Sequence, residues 1–145
     1  MFEEYRGVNG AVYKVNKDRI ARGGEGSIHE IQNMHEYVAK IFKKNKRDSE
    51  REEKICKMSA SKFSNKTSEY TTWPLDVLYD EYGFAGYVMR RAQYNNSLSE
   101  LYSNSKYDLK VRLYAAYNLC AAIEEIHNMG QVCGCLLYTS PSPRD

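Results

Sequence analysis

The sequence has no run of about 18 consecutive apolar residues, the length at which a helix becomes able to cross a bilayer, so neither a transmembrane span nor a membrane partner is expected. Its opening, MFEEYRGVNG, is acidic and lacks the apolar core of a signal peptide. Charge of one sign is also missing. The 21 Lys and Arg residues face 19 Asp and Glu, and a net charge of +2 gives no reason to expect nucleic acid or another polyanion as partner. Cysteine is scarce: Cys56, Cys120, Cys133 and Cys135 read as reduced thiols of a cytoplasmic protein. The CGC at 133–135 supplies only two of the four ligands that a structural zinc needs, and the other two cysteines lie far away in helical patterns. No metal site is expected, and no internal repeat occurs.

What is present is ordinary soluble composition, 42% hydrophobic and 28% charged, in a length of 145 residues that suits one modest domain or part of a larger one. The thirteen tyrosines are scattered, as amphipathic packing residues would be. Residues 11–15, 18–22, 28–33, 36–43, 75–80 and 84–90 are short, β-branched or tyrosine-rich, and bounded by Gly, Asn or Asp. They read as strands of an antiparallel sheet. SEREEKICKM, starting at Ser49, predicts a helix capped by Asp48 or Ser49, with Glu52 placed for a capping box. Residues 61–73 are polar and read as a loop. Leu109, Leu113, Ala116, Leu119, Cys120, Ile123 and Ile126 follow the helical period, predicting a long buried helix that stops at Gly130. Five or six strands with segregated helices make the expected fold α+β.

IARGGEGSIHEI, residues 20–31, places three glycines in four positions between apolar runs. A tight hairpin needs one or two glycines, so three with a serine behind them point to something bulky against the main chain. The spacing is Ala21-x-Gly23-x-x-Gly26-x-Ile28, and twelve residues after Ile28 the strand YVAKIF carries Lys40. This resembles the front of a protein kinase domain, a glycine-rich hairpin followed by a strand with a lysine in a V-A-I-K-like setting. The likeness is to bacterial kinases with a GGEG loop, although Ala21 replaces the first glycine of the family pattern. It extends over residues 18–134: SEREEKICKM resembles the αC helix, WPLDVLYDEYGFAGYVMRRA the strands running into the hinge, and AYNLCAAIEEIHNMGQVCG the αE helix.

The resemblance implies a kinase-like N-lobe at about 5–90, a hinge at 90–96 and the first helices of a second lobe at 97–130, with ATP and Mg2+ as ligands. Loop N–H groups at Gly23, Gly24, Glu25 and Gly26 would face the phosphates, and Lys40 would contribute a point charge beneath them. Ile20 and Ile28 would roof the adenine, Val38 would share the face of Lys40, and Met89 and the backbone near Ala92 would border the base. Glu52, which has Ile55 and Cys56 three and four residues on, is the preferred partner of Lys40, with Glu53 the alternative. His127 would be a packed structural histidine, while His29 and His35 have no evident partner. The activity implied is transfer of the ATP γ-phosphate to a protein hydroxyl, serine or threonine, on a substrate that the sequence does not specify.

The likeness stops after Gly134. No catalytic-loop aspartate, magnesium-binding asparagine or D-F-G follows, and residues 135–145, ending LLYTSPSPRD, read as a non-native disordered tail. The chain by itself is therefore expected to be inactive as a kinase. Two other readings stay open: a pseudokinase that binds nucleotide as a regulatory module, and a noncatalytic α+β interaction domain whose GGEG is only a turn.

Overall fold

The computed structural model describes residues 1–61, 71–93 and 97–131. The chain divides into two compact units, Met1–Gln93 and the part beginning at Tyr94. The first unit holds six strands: β1 Phe2–Gly7, β2 Val12–Arg22, β3 Gly26–Ile31, β4 Tyr37–Phe42, β5 Asp76–Asp80 and β6 Gly83–Arg90. All pair antiparallel and close into a barrel in the order β1-β2-β3-β4-β6-β5. The fold is α+β.

Two clusters form the core, and the strand alternation assigns their faces. Ala39 and Ile41 of β4 join Tyr5, Val15, Ile31, Leu78, Ala85 and Val88 inside the barrel. Val38 and Phe42 point the other way and pack with Val77, Phe84, Tyr87, Met89 and Ile55. Ile55 belongs to helix α1, Ser49–Ala60, which covers this outer face. Asp48 caps α1 by accepting from the Arg51 N–H at 2.7 Å, so Ser49 is the first helical residue and the capping box does not form. Trp73, buried, donates its indole N–H to the Met58 carbonyl near the end of the helix.

Strands expected at 11–15 and 18–22 are one strand, β2, with register shifts against β3 between Val15 and Arg19 and again between Arg19 and Ala21. These extra residues bend β2 without ending it. Strand β1 was not expected. Its sequence, FEEYRG, buries only Tyr5 and Gly7, leaving little apolar signal, yet it pairs with both β2 and β5 and so closes the barrel.

The second unit has α2 Leu98–Ser103, capped by Ser97, and α3 Leu109–Asn128, capped by Asp108. Gly130 adopts φ +73°, and its N–H bonds to the His127 carbonyl, ending α3 in a left-handed turn. The expected buried helix is corrected here: α3 has no buried residue, and Leu109, Leu113, Tyr114 and Tyr117 are exposed. The apolar stripe is present, but no described element covers it. No described helix is long and apolar enough to cross a membrane. Cys133, Cys135 and the tail at 135–145 lie outside the described residues, as does most of the loop read at 61–73.

Candidate functional site

The β2–β3 hairpin turns through Gly23, Gly24 and Glu25, closed by the Gly23 N–H on the Gly26 carbonyl at 2.8 Å. Lys43, just past β4, pins this turn with its N–H on the Glu25 carbonyl and its ammonium on the Gly24 carbonyl, at 2.9 and 2.7 Å. The N–H groups of Gly24 and Glu25 find no acceptor among the described residues. The three glycines have different reasons to be bare. A Cβ on Gly26 would run into the Ile41 carbonyl oxygen, so that glycine lets β3 approach β4. A Cβ on Gly24 would meet open space, and one on Gly23 only the Gly26 oxygen at 3.9 Å.

Beneath the turn lies a cleft of about 410 Å3, within the size range of small-ligand sites. The loop from Ala21 to Gly26 forms one side of it; Ile28, Lys40, Tyr87 and Met89 line the rest, with Thr72 at its border. Register explains the grouping, because Lys40 pairs with Ile28 on β3 and with Tyr87 on β6. The Lys40 ammonium lies 5.3 Å from the Phe42 ring centre and 5.7 Å from that of Tyr87. Both distances suit a cation resting on aromatic faces.

Glu25 reaches back into this space. Its carboxylate stands 3.8 Å from Lys40 Nζ and accepts from Arg51 Nη2 at 3.1 Å. The Arg51 guanidinium also stacks on Phe42, 4.9 Å from its centre, and its Nη1 is buried with no hydrogen-bond partner among the described residues. Burial holds the Lys40 ammonium below the usual lysine range, Glu25 raises it again, and Arg51 lowers it. Burial, reinforced by Glu25, pushes the Tyr87 phenol up to about 12.

Of the residues singled out in the sequence, Gly23, Gly24, Glu25, Gly26, Ile28, Lys40 and Met89 come together on the cleft. Ile20, Val38 and Ala92 do not line it. Val38 does share the face of Lys40 but is buried in the outer cluster. Ile20 is the extra residue of the bulge between Arg19 and Ala21 and turns to solvent, so Ala21 pairs with Ile28 in its stead. Ala92 is exposed beyond the end of β6. The glutamate within ion-pair reach of Lys40 is Glu25. Glu52 instead accepts from the Tyr79 hydroxyl at 2.9 Å, and Glu53 pairs with Lys57 one turn on.

Tyr87 was legible in principle, two residues before Met89 on one strand. Arg51 was not, because its pairing with Glu25 spans 26 residues and two elements. His29 has partners after all: its Nδ1–H donates to the Asn16 carbonyl, and its Nε2 meets Ser27 Oγ at 2.7 Å. His127 is exposed rather than packed. Among the described residues no three His, Cys, Asp or Glu side chains converge where a metal ion could be held.

Fold and cleft together define an antiparallel α+β barrel with a cationic cleft under a glycine-rich turn. Comparison with known proteins adds nothing to this description: no family model, no curated protein and no solved structure matches the chain.

Proposed function

We propose that this chain is the front part of a protein kinase-like domain and binds ATP in the cleft beneath residues 23–26. The observation that carries the reading is Lys40, a half-buried cation inside a ligand-sized cleft, roofed by a turn whose Gly24 and Glu25 N–H groups have no acceptor among the described residues, and flanked by Ile28 and Met89. The ammonium would take the inner phosphates and the turn N–H groups the outer oxygens, with the base against the apolar side chains. The open space at Gly23 and Gly24 lets a phosphate approach the main chain. Magnesium would arrive on the ATP phosphates, its usual ligands in nucleotide sites.

The activity proposed for the protein that carries this chain is γ-phosphate transfer to a serine or threonine hydroxyl. No aspartate of this sequence matches the catalytic-loop or D-F-G positions, so the chain alone is expected to bind ATP without transferring phosphate. One observation favours a second reading, a nucleotide-binding regulatory module: the αC-like Glu52 bonds to Tyr79 and not to Lys40.

Thermal melting with and without ATP and magnesium tests the binding claim. A ligand held at 100 times its Kd stabilises the folded state by about 2.7 kcal/mol, a shift of several degrees. Lys40→Met should remove that shift while leaving the unliganded melting temperature nearly unchanged. No shift in the native chain would leave GGEG as a hairpin turn of an interaction domain.

A further inference from the structure

Glu25 sits where a ligand anion would sit. One carboxylate oxygen faces Lys40 and the other Arg51, and both cations rest on the single ring of Phe42. Two cations gathered at 5.3 and 4.9 Å from one ring centre repel each other unless an anion lies between them. The structure supplies that anion from a turn flanked by Gly24 and Gly26. Glu25 is itself about half exposed, so little packing opposes its withdrawal. Arg51 keeps a buried Nη1 with no partner among the described residues, one donor more than Glu25 satisfies in this geometry. A phosphate chain offers more oxygens than a carboxylate and could engage that donor as well.

We propose that Glu25 is an internal anion that holds the Lys40–Arg51 pair in the unliganded state, and that ligand phosphates bind by displacing it, with Arg51 as the second cation of the site. This rests on the nucleotide reading above, but it concerns the phosphate end alone. The site's ligand class is a polyphosphate, and the Glu25 carboxylate competes with it. Displacement frees the Glu25 side chain while Lys43 keeps the turn backbone in place, and loss of the ligand restores the bridge.

The test measures binding of two probes, ATP and inorganic tripolyphosphate, to the 145-residue chain by calorimetry at low salt. The native chain is compared with Glu25→Gln, Arg51→Gln and Arg51→Lys. Circular dichroism confirms that each is folded. Removing a competing exposed ion pair should tighten both probes about 2- to 5-fold in Glu25→Gln. Losing a charged hydrogen-bond donor should weaken both about tenfold or more in Arg51→Gln, with partial recovery in Arg51→Lys. ATP binding that Glu25→Gln leaves unchanged or weakens, or that Arg51→Gln does not affect, overturns the inference while the nucleotide reading stands. Tripolyphosphate binding with the expected dependence on both residues, but with ATP no tighter, keeps the inference and removes the nucleotide reading. Failure of both probes with every folded variant removes both.

Discussion

Gly26 and Gly86 stand on either side of β4, and each brings a neighbouring backbone closer than a side chain would permit. A Cβ on Gly26 would strike the Ile41 carbonyl, and one on Gly86 the Lys40 carbonyl, so both substitutions must push β4 aside. Gly86→Ala and Gly26→Ala should each cost about 1–3 kcal/mol, read as a lower melting temperature. Gly24→Ala meets nothing within 4 Å and should leave stability within about 0.5 kcal/mol of the native chain, while weakening ATP binding if the turn carries phosphate. The sequence showed a bare stretch at 23–26 and one reason for it. It could not separate the glycine that accommodates β4 from the two that face open space, because that depends on which strand lies alongside. Glu25 was placed at the site by its position in the motif. Its bond to Arg51 depends on where α1 lies against the barrel, which no local pattern encodes.

The barrel closes through an element with almost no hydrophobic signature. Strand β1 is held by pairing and by Asp76 at the start of β5, whose carboxylate accepts from the Val8 N–H, the Tyr13 hydroxyl and its neighbour Val77's N–H. Asp76→Ala would strand the part-buried Tyr13 hydroxyl and Val77 N–H, while the exposed Val8 N–H turns to water. The expected cost is about 2–3 kcal/mol by chemical denaturation, against about 1 kcal/mol for Tyr13→Phe, which removes one bond and its donor. A double-mutant cycle between the two should show coupling; simple additivity would mean that Asp76 does not organise this seam. The other strands were legible because their alternation puts Ala39 and Ile41 inside and Val38 and Phe42 outside. The stop of α3 was legible at Gly130, and the cap of α1 was narrowed to Asp48 or Ser49, of which the structure selects Asp48, since capping is local chemistry. The burial of α3 was not, because periodicity marks an apolar face without saying what covers it.

Across the whole molecule, the raised tyrosines should set the alkaline limit of stability. Burial and hydrogen bonding to Asp76 push the Tyr13 phenol up to about 12, burial does the same for Tyr87, and Tyr5 and Tyr79 are raised as well. A folded state that holds these protons more tightly keeps its full stability below pH 10, the ordinary tyrosine value, and loses it as pH rises toward 12. Lys40 acts in the opposite sense: burial makes its charge costly when folded, and that cost falls as the pH rises toward 10.5. The part of the tyrosinate absorbance due to Tyr13 and Tyr87 should therefore lag between pH 10 and 12 and rise together with loss of circular dichroism. The proposed binding of ATP in the cleft under the glycine turn can be followed residue by residue through amide chemical shifts during an ATP titration of the isotopically labelled chain. The expected result is a set of shifts centred on Gly23, Gly24, Glu25, Ile28, Lys40 and Met89, absent in Lys40→Met. Shifts centred elsewhere on the barrel or on α3, or the same pattern in Lys40→Met, would contradict it.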